Sequence, residues 1–275
     1  MPVGVFDSGL GGLTVFRAIR AAMPEMPLCY YSDNAHAPYG DRNDTEIIAL
    51  TTTATEQLWS QGCELVVLAC NTASAIALRP IQSQALPAGR YALGVFVPLI
   101  EALTERAWAD CSPARPVSVQ QLALFATPAT VKSRAFQREL AVRAIGVDVE
   151  AQPCDALVDA LERGQQQRAE MLVDDYVKAL HSRMPSPQVA VLGCTHYPLL
   201  QDYFQRALGA GVPILNQPEL VARSLKSYLR RHPNRVSCEG ERQRYFCSGD
   251  VLSTSRRVSE MLQQPVKFER LPFTD

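Results

Sequence analysis

Two of the eight cysteines are set apart by their neighbours. Cys70 ends the apolar run 64–69 (ELVVLA) and is followed by Asn71 and Thr72, while Cys194 ends 188–193 (QVAVLG) and is followed by Thr195 and His196. A thiol at the end of a buried strand, where a helix is about to begin, meets the positive end of the helix dipole and a set of unpaired N–H groups. Such a place favours thiolate and welcomes a carboxylate or phosphate. Two such thiols, one from each half of the chain, suit removal of a proton from one face of a carbon and its delivery to the other. Each sulfur would lie about 3–3.5 Å from the carbon, with the pair roughly 7 Å apart. One must be thiolate and the other thiol, exchanging roles with the direction of reaction. Asp7 and His196 can adjust the two proton affinities. Taken singly, Ser8, Asn71, Thr72 and Thr127 read equally well as plain helix caps. The second thiol changes the balance.

The elements that must position these residues alternate between short β-rich runs and helical patterns, the sequence form of an α/β protein with parallel sheets. Strands are expected at 3–6, 28–31, 64–69, 90–97, 121–126, 188–193 and 244–247. Helices are expected at 13–22, 45–61, from 73, at 129–142, through 155–182, after Pro198, and at 253–262. In the long helical stretch the apolar positions are Leu157, Leu161, Met171, Leu172 and Leu180. In open parallel sheets ligands sit beyond the carboxyl ends of the strands. Asp7-Ser8, Cys70-Asn71-Thr72, Thr127 and Cys194-Thr195-His196 all stand at such exits. A weak internal repeat is also visible. VGVFDSG around Ser8 pairs with LALFATP around Thr127, and LVVLACNTA around Cys70 with VAVLGCTHY around Cys194, at offsets of 119 and 124 residues.

Composition narrows the function classes. At 275 residues, 47% hydrophobic and 20% charged, the chain is long enough for a sizeable core and unlike a disordered one. Its formal charge of −1 gives no global basic field, so nucleic acid is not expected as a partner. Apolar runs such as 91–100 are too short for a bilayer, and the N-terminus does not read as a secretory signal. A cytoplasmic location with free thiols is therefore expected. The cysteines form no C-x-x-C pair or Cys/His cluster, so neither a disulfide framework nor a metal site is expected. Cysteines 29, 63, 111, 154, 238 and 247 read as structural.

Weaker signals point elsewhere. Gly9, Gly11 and Gly12 lack the G-x-G-x-x-G spacing, since Thr14 stands where the third glycine belongs, and no Walker lysine follows. His36 reads as a loop residue near Tyr39, His181 and His232 as surface, and the arginines at 230–244 as a solvated connection. Three function classes stay open: amino-acid stereoinversion, a hydrolase or isomerase with a cysteine nucleophile and His196 as base, and a binding protein on a retired scaffold. The duplicated thiol and the absence of a nucleophile-elbow motif count against the hydrolase.

DSGLGG, NAHAPYGD, LACNTAS and LGCTHYPLL together resemble, in order, the motifs of bacterial glutamate racemases in the aspartate/glutamate racemase superfamily. The resemblance runs from Val3 to near Phe268. It implies two similar α/β domains with the active site in the cleft between them, the first combining 1–96 with about 213–275, the second spanning about 97–212. It implies a racemase needing no cofactor or metal, with glutamate as substrate and D-glutamate supplied for peptidoglycan synthesis. Aspartate or a broader set of amino acids is the alternative, and one methylene of side-chain length cannot be read from these residues. Cys70 would serve the D-enantiomer, assisted by Asp7, and Cys194 the L-enantiomer, assisted by His196. Glu162, in LVDALERG, matches a family glutamate that orients that histidine. Asp7, Ser8, Tyr39, Gly40, Asn71, Thr72, Thr195 and His196 match positions that hold the amino acid, with Thr127 and Thr130 reaching its carboxylates. A homodimer is an open expectation.

Two departures stand out. Many members carry Asp-Ser where this chain has Asn216-Gln217, a change expected to bear on domain packing or regulation. The common Gly-Thr-x-x-Thr is here Ala126-Thr127-Pro128-Ala129-Thr130. Members that depend on a cell-wall precursor as activator usually carry an N-terminal extension, and the early first strand here argues against that control.

Overall fold

A computed structural model of the chain describes residues 1–84, 88–107, 110, 112–235 and 242–271. Cys111 and Cys238, read above as structural, lie outside the described residues. Strand β1 (Val3–Asp7) is buried along its whole length, as a strand covered on both faces must be. It leads into α1 (Leu13–Ala22), which buries Leu13, Val15, Phe16 and Ile19 on one face. Then come β2 (Leu28–Ser32), α2 (Asp44–Ser60), β3 (Leu65–Leu68), α3 (Asn71–Ile76), α4 (Leu78–Ser83), β4 (Tyr91–Gly94) and α5 (Phe96–Thr104). An Asn43–Glu46 capping box starts α2, satisfying two of its orphan donors. The strand expected over 90–97 stops at Gly94, because Val95 turns helical and Pro98 falls in the first turn of α5, where a missing N–H costs nothing.

The second half repeats the plan. After the short β5 (Arg115–Pro116) follow β6 (Gln121–Ala126), α6 (Pro128–Ser133), α7 (Ala135–Ala141), β7 (Ala144–Ile145), β8 (Asp148–Pro153), α8 (Leu157–Glu162), α9 (Gln166–His181), β9 (Val189–Gly193), α10 (Gln201–Leu208) and β10 (Ile214–Leu215). Then α11 (Pro218–Arg231), β11 (Gln243–Cys247), α12 (Val251–Leu262) and β12 (Phe268–Arg270) return to the first sheet. Two expected long helices are each broken. Arg134 adopts left-handed φ of 52° between α6 and α7, and Gly164, at φ 68°, ends the turn after α8. Past that break α9 restarts with Ala169, Val173, Val177 and Leu180 as its buried stripe, which leaves Met171 64% exposed rather than in the core.

Among the described residues, one sheet has the order β12-β11-β2-β1-β3-β4 and another β10-β9-β6-β8, with all neighbours parallel. The order β2-β1-β3 in one corresponds to β8-β6-β9 in the other, which gives the internal repeat its structural form. Each sheet carries a hydrophobic cluster on both faces. Strand β10 belongs to the second sheet, so the chain returns to the first only after Leu215, slightly beyond the boundary expected near 212. Among the described residues, no helix is long and apolar enough to cross a membrane.

Candidate active site

Parallel pairing brings the polar strand exits side by side. Phe6 pairs with Leu68 and Ala126 with Gly193, so Asp7-Ser8 emerges beside Cys70, and Thr127 beside Cys194. The two edges face each other across a cavity of about 300 Å³, and both thiols line it. Ser8, Tyr39, Gly40, Asn71, Thr72 and Thr127 lie on the wall, joined by Thr195, His196 and Glu162. Asp7 and Thr130 stand one layer behind, fully buried or nearly so. Among the described residues no group of three His, Cys, Asp or Glu side chains could hold a metal ion.

Cys70 occupies the N-cap of α3. Its own N–H and that of Ala69 both donate to Phe6 O, and its Sγ accepts from Ala73 N at 3.5 Å. Ser8 Oγ lies 3.3 Å from the sulfur. The expectation that the helix end would favour thiolate here is overturned. Burial dominates, the Asp7 carboxylate adds to it, and the contacts with Ser8 and Ala73 offset only part, so the Cys70 thiol is pushed up to about 12. Asp7 is raised too, because its burial outweighs the attraction of His196 and the hydrogen bonds it accepts. Among those, Gly9 N donates to Oδ2 at 3.0 Å and Thr195 Oγ1 to Oδ1 at 3.3 Å, the latter crossing between the two sheets' ends.

The environment of Cys194 is different. No α-helix opens after it: Tyr197–Leu200 forms a 3₁₀ turn, and α10 begins only at Gln201, three residues past Pro198. Its electrostatic partner is a side chain. The thiol and the His196 imidazole act on each other electrostatically, and His196 Nε2 donates to Glu162 Oε1 at 2.7 Å. Burial works against charge on the ring, yet Cys194 and Glu162 together carry its pKa up to about 10. The imidazole is therefore a cation at neutral pH. Burial alone would raise Glu162, but His196 and Arg257 overcome it and hold the carboxyl down to about 2.

Hydroxyls complete the wall. Thr72 Oγ1 and Thr127 Oγ1 lie 2.9 Å apart, and Thr127 donates to Thr130 Oγ1 at 2.9 Å, joining the two halves. Tyr39 OH donates to Asp33 Oδ2 at 2.5 Å, and His36 Nδ1 lies 2.8 Å from Asp33 Oδ1, the loop role read for that histidine. The glycines of DSGLGG are explained by crowding. A Cβ on Gly11 would fall 2.5 Å from His196 Nδ1 and one on Gly12 2.5 Å from Asp7 Cβ.

Sequence reasoning missed three participants. Cys154, read as structural, lines the cavity at the exit of β8. That strand was itself unexpected, since an edge strand reading DVEAQP carries no apolar run to betray it. Gln217 is fully buried and its Nε2 donates to Asn71 Oδ1, so the departure at 216–217 abuts the residue next to Cys70. Arg257, from α12, reaches Glu162 from the far side, and nothing in its local sequence signals this.

Residues 13–225 match the family described as Asp/Glu/hydantoin racemase. The chain belongs to this family. The glutamate racemase of Paracoccus denitrificans is 58% identical over 98% of this chain and 99% of its own, and that of Dinoroseobacter shibae 57% over 98% of each. Among solved structures, a glutamate racemase from Bacillus anthracis superposes with a TM-score of 0.87 at 26% identity, covering 98% of this chain and 97% of its own. The protein is thus an isomerase on the two-sheet α/β scaffold of these racemases.

Proposed function

We propose that the protein interconverts L- and D-glutamate by passing the α-proton between Cys70 and Cys194, supplying D-glutamate for peptidoglycan synthesis. The observation that carries this is the placement of two thiols from repeated strand exits on the wall of one cavity. With L-glutamate bound, Cys194 as thiolate takes the α-proton while the electron pair passes into the α-carboxylate. Cys70, held as thiol, delivers its own proton to the opposite face, leaving D-glutamate, a Cys194 thiol and a Cys70 thiolate. The reverse direction exchanges the roles. The hydroxyls of Ser8, Thr72, Thr127 and Thr195 and the Asn71 amide are the donors available to the substrate's carboxylates, and charge that builds there in the transition state strengthens those bonds. Asp7 acts on Cys70 from behind the wall, and the cationic His196, set by Glu162, acts on Cys194. No cofactor or metal is invoked, and we place the activity in the cytoplasm, where thiols stay reduced. The relatives at 58% and 57% identity, both glutamate racemases, support glutamate over aspartate as the substrate.

Proton NMR in D₂O tests this with purified protein, a chelator and each enantiomer of glutamate and aspartate. The Cα–H signal of both glutamate enantiomers should disappear while optical rotation decays to zero. Exchange of aspartate alone would replace the substrate, and exchange of neither amino acid would overturn the proposal.

A further inference from the structure

Arg257 reaches the cleft from the opposite side. It stands on α12, in the segment that returns to the first sheet, whereas Glu162 is the last residue of α8 beside the second. Its Nη2 donates to Glu162 Oε2 at 2.8 Å and to Glu162 O at 3.1 Å, gripping side chain and backbone together. The other carboxylate oxygen of Glu162 accepts from His196 Nε2 at 2.7 Å. Guanidinium, carboxylate and imidazole thus form one line across the cavity mouth, from a helix of one half to the loop that carries Cys194 in the other.

Glu162 needs such a hold. It ends a six-residue helix, and among the described residues Oε2 has no other hydrogen-bond donor. An isolated exposed ion pair contributes little to stability, and the Arg257 side chain is 48% exposed, so its value lies in where it fixes the carboxylate. We infer that Arg257 is a positioning residue: it clamps Glu162 across the cleft and so ties the meeting of the two halves to the setting of His196 against Cys194. It touches neither thiol. Every effect it has on the chemistry passes through Glu162.

The sign of one measurement separates this role from mere proximity. The groups facing the His196 ring are Glu162 on α8, Cys194 in its own loop and Asp7 at the end of β1, with Arg257 of α12 beyond Glu162. If the guanidinium were only a nearby cation, Arg257→Met would relieve repulsion and His196 would titrate at higher pH. If it is a clamp, Glu162 comes loose and His196 titrates lower, by about one to three pH units. NMR titration of the four histidines in labelled protein reads this directly, with His196→Asn identifying the signal. Arg257→Lys, which keeps a donor and a charge, should return the titration most of the way. An unchanged or raised His196 titration in Arg257→Met overturns the inference. This arm needs no turnover, so it stands apart from the proposed glutamate racemisation.

The kinetic arm rests on that proposal. The equilibrium constant between enantiomers is one, so Arg257→Met must lower kcat/KM equally in both directions, by about tenfold, while kcat and KM divide differently in each. In a Glu162→Gln background the same substitution should cost nothing further, because the residue it acts through has lost its charge. A full additional loss there would show that Arg257 acts by another route, and would also overturn the inference.

Discussion

At Cys70 the chain turns straight from strand into helix, and the sulfur sits among a carboxylate, a serine hydroxyl and a backbone N–H. At Cys194 it turns into a 3₁₀ segment, and the sulfur is attended by an imidazolium whose Nε2 is held by Glu162. The strands that deliver the two thiols correspond in position and pairing, and what surrounds the thiols does not. The proposed reaction, symmetric overall, would thus be divided between two unlike acid–base stations. Burial and Asp7 keep the first as thiol, and a fixed cation attends the second. Two-thiol proton transfer needs one sulfur to take a proton while the other gives one, and the unlike surroundings place a different neighbouring group on each for that exchange.

Removing either station should have the largest effect. Cys70→Ala and Cys194→Ala should each lower racemisation at least about 10³-fold, since inversion needs a group on both faces. Retained turnover in either variant, followed by optical rotation, would end the two-thiol account. The next effect tests how closely the stations are pressed together. Gly11→Ala places a methyl within 2.7 Å of three atoms of Thr195 and His196, so the ring must leave Glu162 or the halves must part. A displacement of about 1 Å at a catalytic group can cost about 10²-fold, and kcat/KM should fall on that scale while the circular-dichroism spectrum stays that of the folded protein. Glu162→Gln should cost less, about tenfold, because it removes the charge that favours the imidazolium but leaves an amide in contact. Steady-state assays in both directions would check it. A Glu162→Gln enzyme with unchanged kcat/KM would mean that Cys194 does not depend on the cationic ring.

The asymmetry was only half legible in the sequence. Fold class, both thiols and their neighbours could be read because buried parallel strands are continuous apolar runs and the polar residues stand where the runs stop. Strands lacking such a run, β8 at the edge and the two-residue β10, left no trace. Helix patterns overran their ends at Arg134 and Gly164, where one left-handed residue redirects the chain without interrupting apolar periodicity. At the site, position was readable but protonation was not. The helix-end rule anticipated a favoured thiolate at Cys70, yet a six-residue helix cannot outweigh full burial beside Asp7. Arg257 and Gln217 act from segments remote in sequence, and only the tertiary fold shows what they touch.

The smallest predicted effect is on stability, and it also divides between the stations. Glu162 is held down to about 2 from an ordinary 4.5, so its contribution is complete above 4.5 and is lost as pH falls towards 2. His196 is carried up from 6.5 to about 10, so its contribution is complete below 6.5 and is lost as pH rises towards 10. The Glu162–His196 pair therefore supports the fold most fully between 4.5 and 6.5. The Cys70 station behaves otherwise. Its thiol, raised from 9.0 to about 12, withdraws support only as pH climbs above 9.0. Melting temperatures measured from pH 2 to 11 should thus respond in three windows, the last two overlapping only between 9.0 and 10. His196→Asn should flatten the fall that begins at 6.5, while Cys70→Ala leaves the range from 6.5 to 9.0 alone and alters the profile only above 9.0. If His196→Asn left the fall between 6.5 and 10 intact, the imidazolium would not be the group that loses its proton there, and the contrast between the two stations would have to rest on Cys70 alone.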